Sequence, residues 1–517
     1  MKAKVIMVQG TASHVGKSVL VAALCRIFVQ DGYRVAPFKS QNMALNSFVT
    51  KDGGEMGRAQ VVQAEAACVD PSVDMNPILL KPTGNASSQV VVLGKPIGNL
   101  SAQHYHLDYG PKALKIIEGA LSRLRKAYDI IVIEGAGSPA EVNLQKNEIV
   151  NMRIARMADA PVLLAADIDK GGALASVVGT LELISPEDRD RVKGIIINKF
   201  RGDLSLFQPA VDFLEQKTGK PVLGVVPYFQ GFRVQEEDTI SEDRQVAEQV
   251  TESGHVEVAV VHLPHISNFT DFDPLEDEPD VRLNYIGRGN RLGKPDLVII
   301  PGSKNTIEDL YFLKRSGLAD GILRLKREGT PVIGICGGFQ MLGRELNDPD
   351  HTESEIPRIE GLGLLDISTT FYSEKITSQV EAEVVGEGHL LNGARGCRIT
   401  GYEIHMGRTE LAAGTNPAFR VNKSSGREVS APDGAVSGDG LVFGTYIHGI
   451  FDEDQFRRCL INNLRRKKGL EPLSINSSMT AVEQRNRDFD KLAAVVRGSL
   501  DMDKIYHLLG LPEHSQQ

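Results

Sequence analysis

The chain has 517 residues, 41% of them hydrophobic and 24% charged, which excludes a disordered or fibrous protein and predicts two large domains with a small appendage. A formal net charge of -9 excludes a general nucleic-acid binder, whose phosphate contacts need a basic face. Five dispersed cysteines with no CxxC pair exclude structural zinc and suit a reducing compartment. A strand pattern begins at Lys4, so no signal peptide is expected. No apolar stretch reaches the roughly 18 residues of a membrane span, and a soluble, cytoplasmic protein with no membrane partner is expected.

Residues 1–234 alternate short β-branched apolar runs with helical patterns, which predicts an α/β domain with a buried parallel sheet. Its strands are expected at 5–8, 35–38, 130–134, 162–165, 195–198 and 222–225. Leu20, Ala23, Leu24 and Ile27 after Gly16 share one helical face. Residues 235–254 are acidic without a sustained apolar face and read as a linker. A second α/β domain is expected over 255–455, with strands at 256–263, 297–301, 332–336, 361–367, 379–385 and 441–446. Residues 412–440, rich in Gly, Ser and Asn, read as a long loop. From 456 to 517 a short helical tail is expected, striped by Phe489, Leu492, Val496 and Leu500, with the basic run 465–468 as a solvated helix end.

The first strand runs into Gly10-Thr-Ala-Ser-His-Val-Gly16-Lys17-Ser18 and then into a helix, the context of a phosphate-binding loop. Backbone N–H groups at such a turn suit a phosphate chain. Lys17 would neutralise phosphate charge and Ser18 would hold Mg²⁺. The first glycine stands one place early, with Thr11 at the usual position. Glu134 ends the strand Ile130-Ile-Val-Ile-Glu134, at the sheet edge where ligands of open α/β sheets bind. Lys39 follows another strand and is placed to reach a γ-phosphate or a substrate carboxylate. Asp52 and Glu55, in a turn-rich acidic loop, are candidate further metal ligands.

In the second domain, Val332-Ile-Gly-Ile-Cys336-Gly-Gly sets a cysteine between an apolar strand and a helical run, the thiol form of a nucleophile elbow. At a helix start a thiol can ionise below its free value of about 8.5. Gly337 allows close substrate approach and offers its N–H to a developing oxyanion, and Gly302 after the strand at 297–301 offers a second donor. His448, in Gly444-Thr-Tyr-Ile-His448-Gly, is the best-placed proton partner, again at a strand end.

The phosphate loop, with Glu134 and Asn198 at strand ends, resembles dethiobiotin synthetase and its relatives. That resemblance implies a Mg²⁺-linked role for Glu134 and an adenine contact for Asn198. The Cys336 and His448 segments resemble class I glutamine amidotransferases, which implies a flavodoxin-like second domain. In that family a glutamate usually follows the histidine by two residues. Here the place is Ile450, so the third member is open, with Glu403 and Asp452 as candidates. The same departure looks like the cobyrinate branch, which places the synthetase domain first. Four segments strengthen that likeness: Phe38-Lys-Ser-Gln-Asn-Met-Ala-Leu-Asn-Ser47, Ile266-Ser-Asn-Phe-Thr-Asp-Phe-Asp273, Pro301-Gly-Ser-Lys-Asn-Thr306 and Gly401-Tyr-Glu-Ile-His-Met-Gly407.

The resemblance implies an ATP- and Mg²⁺-dependent ligase that takes ammonia from glutamine and amidates a corrinoid substrate, adenosylcobyrinic acid a,c-diamide, at b, d, e and g. Three rivals stand beside it. One is the enzyme that makes the a,c-diamide itself, which the 38–47 segment disfavours. Another is a partition-type P-loop ATPase, which usually carries a lysine where this chain has Ala12 and has no use for Cys336. The third is a glutaminase with a regulatory nucleotide domain. The residues give no oligomeric state and no route for ammonia.

Overall fold

Six apolar runs of the first domain form one parallel sheet in the computed structural model, in the order Val222–Pro227, Val192–Phe200, Val162–Asp167, Lys4–Gly10, Ile130–Glu134, Val35–Phe38. The structure describes residues 2–84, 87–101, 105, 109–143, 148–229, 254–290, 292–474 and 480–512, so all but the last residue of the expected linker lies outside the described residues. The central strands are buried end to end, which explains their unbroken runs of Ile and Val. Helix Lys17–Gln30 turns Leu20, Ala23, Leu24 and Ile27 into the core beside this sheet.

The chain divides into two compact units, and neither is continuous in sequence. The first combines Met1–Ala44, Met56–Glu237 and Val482–Gln517; the second combines Leu45–Glu55 and Asp238–Ala481. The tail is therefore shared out. Helix Asp454–Lys468 belongs to the second unit, while Phe489, Leu492, Val496 and Leu500 pack in the same core as Ile6, Val8 and Leu24. Gly224 makes that packing possible: a Cβ there would lie 2.0 Å from the Ser499 carbonyl oxygen. The basic run 465–468 also differs from expectation. Arg465 is buried and pairs with Asp280 at 3.0 Å, a carboxylate that Arg458 also binds.

The second unit holds a sheet ordered Val281–Ile286, Val256–Val261, Leu297–Ile300, Val332–Ile335, Val442–Thr445, Ala435–Val436, with only the last strand antiparallel. A second sheet is built on the antiparallel pair Ile367–Val384 and Arg398–Leu411. Between 361 and 367 the chain is not one strand; Arg358–Glu360 ends before it and Ile367–Val384 begins at its end. The supposed loop at 412–440 carries the strands Phe419–Ser424, Arg427–Asp433 and Ala435–Val436. Residues 427–432 are exposed, so the strand Arg427–Asp433 presents almost no buried face, while Phe419 and Val421 alternate with the exposed Arg420 on its partner. No helix among the described residues is long and apolar enough to cross a membrane.

Candidate active sites

The phosphate-loop site lies at the carboxyl end of the first sheet. Gly10 closes its strand where a Cβ would sit 2.5 Å from the Val15 side chain, and Thr11 N donates to the Ala165 carbonyl at 2.9 Å. Gly16 has φ +94, and a Cβ there would lie 2.1 Å from Asn198 Nδ2. Asn198 Nδ2 donates to the Val15 carbonyl at 2.8 Å, which braces the loop from the end of a strand two places away in the sheet. Lys17 is buried, and its Nζ donates to the Ala12 carbonyl at 2.9 Å and to the Gly137 carbonyl at 3.2 Å.

Glu134 gathers the rest. Its Oε1 accepts from Ser18 Oγ at 2.9 Å and from Lys39 Nζ at 3.0 Å, and its Oε2 accepts from Gln63 Nε2. Burial pushes this carboxyl up, but the Lys39 charge and the Gln63 hydrogen bond outweigh it and hold it below the ordinary carboxylate value. A hydroxyl and an ionised carboxylate beside a phosphate loop fit Mg²⁺, which takes oxygen ligands and keeps places for water and phosphate. Among the described residues no group of three His, Cys, Asp or Glu side chains forms an all-protein metal cage. Asp52 and Glu55 are occupied differently: Thr50 Oγ1 donates to Asp52, and Glu55 Oε2 lies 2.6 Å from Lys375 Nζ, both side chains buried. Both acids belong to the segment that the second unit takes in.

In the second unit Cys336 follows the strand Val332–Ile335 with φ +51, a left-handed conformation that a non-glycine residue adopts only under strain, as at a nucleophile elbow. Gly337 and Gly338 permit it. A Cβ at 337 would lie 2.9 Å from Ser303 N, and one at 338 would lie 1.9 Å from the Ile300 carbonyl oxygen. Gly302 faces the same place, since a Cβ there would lie 3.2 Å from His448 Cε1. The Cys336 thiol donates weakly to the Ile404 carbonyl at 3.6 Å, and its charge acts on the His448 ring.

His448 is almost wholly buried, and its Nδ1 lies 2.6 Å from Asp271 Oδ2. Asp271 Oδ1 accepts from Gly449 N at 3.2 Å, so one carboxylate fixes both the ring and the backbone beside it. Tyr402 stacks on the imidazole at 5.1 Å, and the two residues exchange backbone hydrogen bonds of 3.2 and 2.8 Å. The Asn268 amide stands 3.4 Å from Nε2. Burial lowers the His448 pKa, but the charges of Asp271 and Cys336 raise it to about 10.

The third position is therefore filled by Asp271, with Glu403 and Asp452 not bonded to the His448 ring. Asp271 lies in a 3-10 turn, Phe269–Phe272, after Asn268 with φ +53. Gln340 is a further member that residue patterning did not single out. Its Oε1 accepts from Thr306 Oγ1 at 3.2 Å and its Nε2 donates to the Tyr446 hydroxyl at 3.1 Å. Gln63, Asn151, Asn268 and Tyr402 were likewise not singled out. Asn151 binds both backbone groups of Ala136, in the turn that Lys17 also touches.

Comparisons with known proteins divide along the same line. A family described as a CobQ/CobB/MinD/ParA nucleotide binding domain matches residues 6–240, and one described as a CobB/CobQ-like glutamine amidotransferase domain matches 257–456. A cobyric acid synthase of Pelotomaculum thermopropionicum is 58% identical over 517 residues, covering 99% of this chain and 97% of the relative. Those of Moorella thermoacetica and Desulfitobacterium hafniense are 56% and 54% identical, each pair covered to 98% on both sides.

Proposed function

This chain belongs to the family of cobyric acid synthases, and on that premise we propose that it amidates the b, d, e and g carboxylates of adenosylcobyrinic acid a,c-diamide in cobalamin biosynthesis, with ATP and glutamine. The observation that carries the residue assignment is His448, held 2.6 Å from Asp271 and acted on by the charge of Cys336 at the elbow.

The Cys336 thiolate attacks the side-chain amide carbon of glutamine, and the carbonyl electrons move to oxygen, which faces the backbone N–H groups of Gly302 and Gly337. As the oxyanion collapses, His448 gives its proton to the amide nitrogen, the C–N bond breaks, and ammonia leaves a thioester. His448, now neutral, takes a proton from water as the water attacks. Glutamate departs and the thiolate returns. Asp271 keeps the Nδ1 proton in place, so that Nε2 is the nitrogen that exchanges protons.

In the first unit a corrinoid carboxylate oxygen attacks the ATP γ-phosphorus, ADP leaves, and an acyl phosphate results. Ammonia then attacks the carboxyl carbon and phosphate departs with the C–O bond electrons. Lys17 and Lys39 offset charge on the transferring phosphoryl group. Ser18 and Glu134 would hold Mg²⁺, which supplies neutralisation of the β- and γ-phosphate oxygens. Asn198 carries the loop brace, and the resemblance to dethiobiotin synthetase supports an adenine contact for it.

The test is amidation by wild-type protein and Cys336→Ala with each nitrogen source. The variant should lose glutamine-supported amidation and keep ammonium-supported amidation. Glutamine use at the normal rate by the variant would overturn the thiol assignment.

A further inference from the structure

One fully buried carboxylate of the second unit has no part in the chemistry above. Asp309 stands in the first turn of the helix Thr306–Ser316 and is 0% exposed. An acid at such a place commonly caps its own helix, but that task is already met, since the Asn305 side chain accepts from Glu308 N at 3.2 Å. The Asp309 carboxylate is bonded to two other segments. Its Oδ2 accepts from Ser303 Oγ at 2.6 Å, and its Oδ1 lies 2.8 Å from His265 Nδ1. The His265 backbone N–H reaches both carboxylate oxygens at 3.2 Å.

Those segments run into the short strands Ile266–Ser267 and Gly302–Ser303, paired antiparallel with Ser267 opposite Gly302. An isolated strand pair of this length is not stable by itself, even with the added bond from Lys304 N to the His265 carbonyl at 2.9 Å. Yet both strands lead into the site. Ser267 is followed by Asn268 and by the turn Phe269–Phe272, which carries Asp271, the partner of His448. A Cβ at Gly302 would meet His448 Cε1 and the Ser267 carbonyl oxygen, each at 3.2 Å, and a Cβ at Gly337 would lie 2.9 Å from Ser303 N. The strand Gly302–Ser303 thus rests against the histidine and the elbow together, and Asp309 ties it to its neighbour.

We propose that Asp309 is a positioning residue for glutamine cleavage, clamping the Gly302–Ser303 strand to Ile266–Ser267 so that the Gly302 N–H is held where the oxyanion forms. The inference rests on the glutaminase reading of Cys336 and deepens it. An oxyanion donor acts where charge develops, and it must stand within about 2.7–3.1 Å of that oxygen. A strand freed to shift by a fraction of an ångström loses this fit. Ground-state glutamine, which carries no such charge, is bound as before, so the loss falls on kcat. A buried carboxylate suits the task, because one acid accepts from two segments at once and its bonds are stronger than those between neutral groups.

The experiment uses full-length wild type, Asp309→Asn, Ser303→Ala, the double variant and Cys336→Ala. Glutamine turnover is resolved into kcat and KM, and iodoacetamide alkylation of Cys336 is followed by mass spectrometry. Alkylation forms an S–C bond as iodide leaves and makes no oxyanion, so it reads the thiol and not the strand. Asp309→Asn should lower kcat by about 10- to 100-fold, with KM and the alkylation rate within about twofold. Ser303→Ala should lower kcat by about 3- to 30-fold in the same pattern, and the double variant should be no slower than Asp309→Asn, because both changes open one clamp. An unchanged kcat in either single variant, or losses that multiply in the double variant, would overturn the proposal. If Asp309→Asn also loses glutamine affinity and alters Cys336 reactivity, Ser303→Ala decides alone: a loss confined to kcat sustains the clamp, and any other pattern overturns it. Glutamine cleavage by Cys336→Ala would instead remove the reading beneath, so the two failures are told apart.

Discussion

Nδ1 of His448 lies 2.6 Å from Oδ2 of Asp271, a residue 177 positions earlier in the chain. The contact completes a Cys–His–Asp series where relatives of the wider amidotransferase class use a glutamate two residues after the histidine, a position that is Ile450 here. Ile450 is buried in the apolar core, so no acid could stand there without losing its water.

Replacing Asp271 by Asn keeps the shape and removes the charge. It also frees the ring to adopt the wrong tautomer. Glutamine-supported turnover should fall by about 10²–10⁴-fold, mostly in kcat. Ammonium-supported amidation should stay within about twofold, because it bypasses this site. Parallel loss of both activities, measured under the same conditions, would count against a local role.

The same pair sets a pH dependence. His448 is raised to about 10, above its ordinary value of about 6.5. A group whose pKa rises on folding stabilises the native state fully below its unfolded value, and that stabilisation disappears as pH climbs through the folded value. Stability should therefore decline between about pH 7 and 10. Glutaminase activity should hold through neutral pH and fall on the alkaline side as His448 loses the proton it must donate. In Asp271→Asn the alkaline limb should move to lower pH. A pH–rate profile with the limb unmoved would refute the pairing as its cause.

At the other site Glu134 binds Ser18, Lys39 and Gln63 together. Glu134→Gln removes the anion that offsets the buried Lys39 and the carboxylate proposed for Mg²⁺. ATP-dependent amidation should drop at least about 100-fold with glutamine and with ammonium alike. The Mg²⁺ concentration for half-maximal activity should rise, while basal glutamine cleavage persists. A defect confined to glutamine as nitrogen source would be the wrong pattern.

Much of this arrangement is legible before any coordinates. Strands at 35–38 and 130–134 match Val35–Phe38 and Ile130–Glu134 residue for residue, because both faces are covered and the apolar run has the strand's own length. Cys336, His448, Lys17 and Glu134 stand beside glycines or at strand ends, where local sequence carries a signal. Asp271 does not. Its 3-10 turn has no periodicity, and its partner lies 177 residues further along the chain, so only the run Ile266-Ser-Asn-Phe-Thr-Asp hints at it. Glu403, one of two acids left open as the third member, lies by strand alternation on the face opposite Tyr402, whose ring stacks on His448. The hairpin within 412–440 escaped because residues 427–432 are exposed on both faces and leave no buried stripe.

The segment Leu45–Glu55 interrupts the first unit in sequence and belongs to the second. Ser47 N donates to Asn268 Oδ1 at 3.0 Å, and the Tyr402 hydroxyl donates to the Ser47 carbonyl at 3.2 Å. Asn268 and Tyr402 both lie against the His448 ring, so this segment steadies two of its neighbours. Its far end is pinned by Glu55 and Lys375, paired at 2.6 Å with side chains 0% and 5% exposed. Lys375→Met strips that partner from a buried carboxylate, and the cost of breaking such a pair from one side is about 3–5 kcal/mol. Removing both charges, as Glu55→Gln with Lys375→Met, should cost less than Lys375→Met alone, because no lone charge then remains to be hydrated. Urea unfolding of the two single variants and the double variant measures this coupling. The single Lys375 variant should also lose glutamine-supported turnover more than ammonium-supported turnover, with partial recovery in the double variant. Additive destabilisation across the cycle would mean that the pair does not hold the segment, and the link from Glu55 to His448 would fail at its first step.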